Sequence, residues 1–155
     1  MRDEDLSTKQ EYYLHLVWAT KNRLPTILEE QEAHIHRLIF SEAAKLSCKV
    51  LAVNGMPDHI HVLVECVSTI SPAQLTNQLK GITSAFLNKV ARKNSDLARF
   101  RWQEGYGLFS IGRNQVERVQ SYIERQKEHH SSHTIWSDWG TTPEDLYQKN
   151  RATNP

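Results

Sequence analysis

Residues 49–67 carry the pattern that most constrains the fold of this chain. Residues 49–54 and 59–67 are predicted to form strands, and the intervening Gly-Met-Pro-Asp sequence is typical of a turn. Side chains alternate between the two faces of a strand. One face of the second strand holds Ile60, Val62, Val64 and Cys66, and the other holds His59, His61, Leu63 and Glu65. The segment therefore predicts a hairpin with an apolar core on one side and two histidines on the other.

The rest of the chain supplies helices to cover this hairpin and further strands to extend it. The predicted order is β-α-β-β-α-β-α, with strands at 12–19, 49–54, 59–67 and 106–111 and helices at 29–46, from 71 onward and at 115–130. This order favours an α+β fold, an antiparallel sheet of four to five strands with helices packed on it. We expect one domain over residues 1–133, followed by a tail over residues 134–155.

Composition indicates an ordinary soluble globular protein. Of the 155 residues, 39% are hydrophobic and 24% charged, and the formal net charge of +1 does not by itself indicate nucleic-acid binding. There is no long apolar run and no apolar segment near Met1, so we expect no membrane span, no signal peptide and a cytoplasmic location. Cys48 and Cys66 are too few for a zinc cluster, and we expect two half-buried thiols nearly opposite each other on the hairpin.

Two histidines at positions i and i+2 of a strand can bind one metal ion. His59 and His61 would point to the same side, with backbones roughly 7 Å apart. The alternative is a pair of ordinary histidines on a half-exposed strand. His34 and His36 have the same spacing, but they lie in a predicted helix, where positions i and i+2 diverge by about 200° and cannot share a metal.

Tyr122 and Gln126 lie one turn apart on the last predicted helix. The helical pattern places both at the margin of an apolar stripe, neither deep in the core nor fully in water. A phenol, with a pKa near 10, needs activation to act as a nucleophile, and a nearby metal can polarise the phosphate that it attacks. The carbonyl oxygen of Gln126 would suit a hard divalent ion. The alternative is a boundary tyrosine with a structural role.

Four segments together resemble the HUH single-tyrosine transposases of the insertion-sequence 200/605 class. They are NGMPDHIHVLVE from Asn54, LKGITSAFLNK from Leu79, WQEGYGLFSIGRNQ from Trp102 and YIERQKEHH from Tyr122. The resemblance implies the ferredoxin-like or RRM-like α/β sandwich of HUH nucleases. It also implies that Tyr122 is the nucleophile and that His59, His61 and Gln126 bind Mg²⁺ or Mn²⁺, with no nucleotide cofactor.

The same resemblance implies a DNA strand transferase that acts as a homodimer. Such enzymes recognise hairpins at element ends, cleave single-stranded DNA through a 5′-phosphotyrosine link and rejoin it. In well-studied members the tyrosine helix of one subunit completes the histidine pair of the other, and Gly112 is a candidate hinge here. From Ser131 onward the chain departs from the longer, charged helical end of such relatives.

Basic residues near aromatic ones indicate where DNA would lie, since cations bind phosphates and rings stack on bases. The candidate contacts are Lys80, Lys89, Arg92, Lys93, Arg99, Arg101 and Trp102, with Arg113 and Arg118 nearer the nucleophile. The alternative is a solvated helix face.

Two other functions remain open from the residues alone. One is a catalytically idle or domesticated hairpin-binding protein on the same fold, which would have no use for the tyrosine, glutamine and histidines together. The other is an unrelated metal hydrolase, for which Asp58 and Glu65 are the only obvious candidate bases.

Overall fold

The predicted order of strands and helices is confirmed in the computed structural model, which describes residues 8–128. In chain order the elements are β1 (Tyr13–Ala19), α1 (Glu29–Lys45), β2 (Lys49–Met56), β3 (His59–Glu65), α2 (Pro72–Lys93), β4 (Gly107–Ile111) and α3 (Val116–Glu124). Short 3-10 helices occupy Lys21–Arg23 and Arg113–Gln115. The expected tail over residues 134–155 lies outside the described residues, as do residues 1–7 and 129–133.

The four strands form an antiparallel sheet in the order β2-β3-β1-β4. The predicted hairpin is β2 and β3, and β3 lies in the interior of the sheet between β2 and β1. β1 is buried along nearly its whole length, from Leu14 to Ala19. Such a strand needs cover on both faces of the sheet, which explains its almost continuous apolar sequence.

One face of the sheet packs against α1 and α2. The main core lies there, and its central residues are Leu16, Trp18, Ile60, Val62, Ile35, Ile39, Leu75 and Leu79. α2 begins as the sequence predicts, because Ser71 Oγ accepts a hydrogen bond from the Gln74 amide at 3.0 Å and Pro72 occupies the first turn.

The opposite face is covered by α3, which packs across β2 and β3 through Val119, Tyr122 and Ile123. Of the helix predicted over residues 115–130, the structure describes the part up to residue 128, with a break at Arg125. α3 ends at Glu124, the Arg125 amide bonds to the Ser121 and Ile123 carbonyls, and helical geometry resumes at Gln126. Residues 129 and 130 lie outside the described range.

Cys48 and Cys66 are neighbours just beyond the paired ends of β2 and β3, as predicted, and both are free thiols. They are more deeply buried than expected, at 3% and 5% exposure. Burial, together with the adjacent Cys48, raises the pKa of Cys66 to about 12. Over the described residues, no helix has the length and apolar character needed to cross a membrane.

A prediction concerns the close approach of the hairpin strands at Gly55. A Cβ atom at this position would lie 2.2 Å from the His59 carbonyl oxygen and 2.9 Å from Ile60 Cα. Because these are backbone atoms, Gly55→Ala should lower the free energy of unfolding by about 1–3 kcal/mol in urea denaturation. The control is Gly81→Ala at an exposed position of α2, where the added Cβ would meet no neighbouring atom within 4 Å. This variant should raise the free energy of unfolding by about 1 kcal/mol. Equal stability of the two variants would contradict the prediction.

Candidate functional site

His59 and His61 lie on β3 and face α3, as the alternation predicts. Their ring centroids are 5.2 Å apart, and the side chains are 1% and 0% exposed. They are therefore buried rather than half-exposed, because α3 covers this face of the sheet. Two imidazoles this close in a dry environment require polar partners to offset their lost hydration.

Asp58 orients the first of these histidines. Its Oδ1 lies 2.7 Å from His59 Nδ1, and its Oδ2 accepts a hydrogen bond from Arg23 Nε at 3.1 Å. Burial acts to raise the pKa of Asp58, but the hydrogen bond from His59 and the positive charge of Arg23 outweigh it and hold the pKa at about 2. The ionised carboxylate fixes the hydrogen of His59 on Nδ1 and leaves Nε2 as a potential metal ligand.

His15 orients the second histidine from the neighbouring strand β1. Its Nε2 lies 2.8 Å from His61 Nδ1, and the two rings are stacked with centroids 5.1 Å apart. His15 is fully buried, and this burial lowers its pKa to about 3, so the imidazole is neutral. The Phe109 ring, 5.8 Å from that of His15, flanks the pair from β4.

Tyr122, on α3, packs against the face of the sheet that holds His59 and His61, and Gln126 follows it by four residues. The Tyr122 ring packs edge-on against His61, with centroids 6.1 Å apart. Tyr122 is 1% exposed and Gln126 is fully buried. The prediction that both lie at the margin of the apolar stripe was therefore wrong, because α3 lies across two strands and the sheet covers the flanks of the helix as well as its centre.

Polar side chains attach α3 to the strands and helix of its own chain. Asn54 Nδ2 donates to the Glu124 carbonyl at 3.0 Å, and Gln120 Nε2 donates to the Leu51 carbonyl at 3.2 Å. Lys127 Nζ donates to Asn54 Oδ1 at 3.0 Å and also contacts Glu32 on α1. The tyrosine helix thus covers the histidine pair of the same chain.

The donor set fits a divalent metal. His59 and His61 each engage Nδ1 in a hydrogen bond, which directs Nε2 elsewhere. Both carboxamide atoms of Gln126 are buried with no hydrogen-bond partner among residues 8–128. A buried amide of this kind is costly unless a ligand satisfies it. Within the same residues, no group of three or more His, Cys, Asp or Glu side chains is arranged to hold a metal ion; Gln126 belongs to none of these types.

A basic groove of about 760 Å³ lies between α2 and the segment that precedes β4. Its charged lining residues are Lys21, Lys80, Arg99, Arg101 and Glu104. The Lys80 ammonium donates to the Gln103 and Gly105 carbonyls at 2.9 and 3.0 Å, and burial lowers its pKa. The Lys80 side chain therefore links α2 to the segment that precedes β4, and these two carbonyl oxygens partly offset its positive charge.

Trp102 lines the groove, but its ring is part of the core. The indole N–H donates to the Lys80 carbonyl and Thr83 Oγ1 at 3.2 and 3.1 Å. The ring packs edge-on against Trp18 and Phe100. Stacking of a base on the face of Trp102 would have to compete with this packing.

The remaining candidate DNA contacts fall into two groups, one at the end of α2 and in the segment after it, and the other near α3. Lys89, Arg92 and Lys93 are exposed on the last turns of α2, and Arg99 is exposed in the segment that follows. Arg113 pairs with Glu11 at 3.0 Å ahead of α3, and Arg118 is exposed on α3 itself. The structure thus brings Arg99 and Arg101 together in the groove and separates them from Arg113 and Arg118.

Solved structures share this architecture. A chain from Deinococcus radiodurans described as a transposase superposes with a TM-score of 0.61 at 21% identity, covering 77% of this chain and 94% of that one. A REP-associated tyrosine transposase bound to a REP hairpin superposes with a TM-score of 0.59 at 14% identity, covering 95% of this chain and 86% of that one. These likenesses establish the fold, which is that of the tyrosine transposases.

Sequence comparison identifies the family. Residues 8–126 match the model of the IS200-like transposases, and the chain belongs to that family. It is 25% identical over 114 residues to the ISDra2 transposase TnpA of Deinococcus radiodurans, covering 72% of this chain and 81% of that protein. It is 26% identical over 120 residues to the IS200 transposase of Salmonella typhimurium, covering 74% and 76%. Membership of a transposase family implies DNA strand transferase activity.

Sequence reasoning missed His15 as a partner of the site. It lies within the strand predicted over residues 12–19, but nothing in the sequence indicates which residue pairs beside it. Asp58 was considered only as a base for the hydrolase alternative. Its position directly before His59 was a usable signal, because an acidic residue there can reach the ring of the next residue.

The attachment of α3 generates a prediction. Lys127→Met removes the ammonium that links the end of this helix to α1 and β2, so amides of residues 119–126 should exchange with deuterium faster. Because Lys127 is half-exposed, the loss of unfolding free energy should be only about 0.5–1 kcal/mol. Lys89→Met on exposed α2 is the matched control and should leave exchange in α3 unchanged. Unaltered exchange in Lys127→Met would show that apolar packing alone holds the helix.

Proposed function

We propose that this protein cleaves and rejoins single-stranded DNA with Tyr122 as the nucleophile. The observation that carries the proposal is the placement of the Tyr122 ring against His61, beside His59, with the amide of Gln126 buried four residues further along the chain. A phenol, two oriented imidazoles and an amide oxygen constitute a nucleophile beside a set of metal ligands. Membership of the IS200-like transposase family supports the same reading.

In the cleavage step the Tyr122 oxygen attacks a backbone phosphorus. The new bond joins the phenolic oxygen to phosphorus, and the bond from phosphorus to the 3′-oxygen breaks. The phenol loses its proton and the departing 3′-oxygen gains one, which leaves a 5′-phosphotyrosine and a free 3′-hydroxyl. The reverse attack by a 3′-hydroxyl rejoins the strand. Because the ester link retains the bond energy, no nucleotide cofactor is required.

His59, His61 and Gln126 would hold the divalent ion, Mg²⁺ or Mn²⁺. When bound, the ion would polarise a phosphate oxygen and so make the phosphorus a better target. Two imidazole ligands shift preference from magnesium toward manganese and later metals, so Mn²⁺ should bind more tightly. The contribution of this chain is to orient each imidazole through Nδ1, by Asp58 and by His15.

DNA access requires movement of α3, because Tyr122 is buried beneath it. This helix has nine residues and is joined to β4 through Gly112 and a 3-10 turn. A helix this short is marginal by itself, so its packing on the sheet determines its position. We infer that the helix separates from the sheet to admit the phosphate, with the segment around Gly112 as the hinge.

The basic groove offers a path to the histidines. The Lys21 amide bonds to the Arg101 carbonyl, and the Gln103 amide bonds to the Ala19 carbonyl, at the end of β1 where Ala19 pairs with His59. A single strand lying along Arg99 and Arg101 would therefore leave the groove at the end of β1, where His59 is paired with Ala19. One neighbour in fold is bound to a REP hairpin, and we propose a hairpin-bearing single strand as the substrate here.

The alternative function is a catalytically idle or domesticated hairpin-binding protein. The amide of Gln126, which is buried with no partner among residues 8–128, disfavours it, because a binding module has no use for that cost. A homodimer is also proposed, on family resemblance. Light scattering that gives a monomer at tens of micromolar would contradict the dimer. It would not contradict the proposed cleavage reaction, because α3 covers the histidines of its own chain.

The nucleophile is tested with a hairpin-bearing single strand in the presence of Mn²⁺. Wild-type protein should form a DNA adduct that survives denaturation and maps by mass spectrometry to Tyr122. Tyr122→Phe removes only the hydroxyl and should abolish the adduct while folding and DNA binding persist. Tyr106→Phe, at a half-buried position against the other core, is the matched control and should retain it. An adduct at another tyrosine would refute the assignment, and hairpin binding without any adduct would favour the idle protein.

The metal is tested in the same assay. EDTA should suppress the adduct and added Mn²⁺ should restore it. His59→Ala and His61→Ala should weaken Mn²⁺ binding and suppress the adduct without abolishing DNA affinity. Cleavage that persists under full chelation would refute a role for the metal.

The groove is tested through the salt dependence of binding. Arg99→Gln and Arg101→Gln should each weaken binding of a single strand, and each lost phosphate contact should reduce the slope of log K against log[salt] by about 0.7. Lys49→Gln is the control, because Lys49 is exposed and pairs with Glu65 at the opposite end of β3 from His59. Slopes that equal that of the wild type in both arginine variants would exclude the groove as the DNA path.

A further inference from the structure

His15 and His61 share one hydrogen between two buried nitrogens. The distance from His15 Nε2 to His61 Nδ1 is 2.8 Å, the rings are inclined by only 28°, and both side chains are 0% exposed. A neutral imidazole carries a hydrogen on one ring nitrogen and a lone pair on the other. In this contact one ring must therefore donate and the other must accept.

The direction of this hydrogen bond determines whether His61 can bind a cation. If His15 donates, His61 Nδ1 is the acceptor, and its hydrogen sits on Nε2, where it blocks coordination. If His61 donates from Nδ1, the lone pair of the ring lies on Nε2, and this nitrogen can coordinate a metal. The nitrogen that binds a metal is set by the hydrogen bond of the other nitrogen.

We propose that His15 is a positioning residue that accepts a hydrogen bond from His61 Nδ1 and so holds His61 in the tautomer that can bind the metal. The inference rests on the proposed function, because it assigns a metal to His61. It requires that His15 itself carry its hydrogen on Nδ1. Nothing in the sequence pattern assigns this role, since the two residues are 46 positions apart.

The neighbouring histidine supports the proposal independently. His59 has the same arrangement, with Asp58 Oδ1 2.7 Å from its Nδ1. An ionised carboxylate can only accept, so the tautomer of His59 has its lone pair on Nε2. Each histidine of the pair thus has, next to its Nδ1, a side chain that can accept the hydrogen of that nitrogen. For His59 this side chain is Asp58, and for His61 it is His15.

The burial of His15 also indicates a role beyond packing. Its neighbours on β1 are the buried apolar residues Leu14, Leu16 and Val17, and a leucine at position 15 would bring no polar atom into this environment. A buried imidazole is costly unless its nitrogens are hydrogen-bonded. The hydrogen bond between His15 and His61 offsets part of this cost, and an apolar side chain at position 15 cannot form it.

The test uses two variants of the full chain. His15→Leu removes the acceptor, and His15→Gln supplies an amide oxygen able to take the place of Nε2. Long-range ¹H–¹⁵N NMR of the metal-free proteins reports which nitrogen of His61 carries hydrogen, and calorimetric titration with Mn²⁺ reports affinity. Urea denaturation and binding of a hairpin-bearing single strand serve as controls for folding and for the DNA surface.

Wild-type protein should show hydrogen on His61 Nδ1. In His15→Leu it should move to Nε2, and Mn²⁺ affinity should fall by about 10- to 100-fold, the usual effect of removing such a partner. His15→Gln should restore the Nδ1–H tautomer and most of the affinity. DNA affinity should be equal in all three proteins.

Hydrogen on Nε2 of His61 in the wild type would overturn the proposal, and this measurement stands even if His15→Leu does not fold. Equal Mn²⁺ affinity in wild type and His15→Leu would overturn the role of His15 and leave the metal site standing. Failure of the wild type to bind Mn²⁺ would overturn the metal site and the role of His15 together.

Discussion

The pairing register of β3 is the constraint on which the fold and the candidate site both depend. Pairing with β1 aligns Trp18 with Ile60 and Val17 with His61. This register directs Ile60 into the main core and places His61 beneath α3. Because side chains alternate with a period of two, a slip of one residue would exchange the two faces. The core would then receive imidazoles and α3 would receive aliphatic side chains, so the packing that stabilises the sheet also enforces the geometry of the histidine pair.

The polar side chains of the site are buried away from water, and hydrogen bonds from neighbouring side chains offset the cost of that burial. The ring of His59 is held by Asp58, which is in turn held by Arg23, and the ring of His61 is held by His15. These contacts fix the orientation of each imidazole before any ligand arrives. Tyr122, by contrast, lies on α3, the shortest of the described α-helices. The two histidines thus lie in the sheet, whereas Tyr122, the proposed nucleophile, lies on an element that is weakly stable by itself.

Local sequence patterns predicted the order of elements because each pattern is determined within a few residues. Alternation identified the faces of β3, and Ser71 with Pro72 identified the start of α2. The same reasoning did not indicate the break after Glu124 and underestimated the burial of Tyr122. Helical periodicity shows which side of a helix faces the sheet. It does not show how far neighbouring strands extend beneath the flanks of that helix.

The sequence alone determined that His59 and His61 share one side of a strand and that Tyr122 and Gln126 share one side of a helix, since both relations follow from backbone geometry over two and four residues. Only the tertiary structure decided that these two sides face each other, that His15 reaches His61, and that Arg99 and Arg101 line one groove. These contacts join residues far apart in the chain, and they depend on strand order and helix docking. No local periodicity encodes that choice, because it results from how all the apolar faces are buried together.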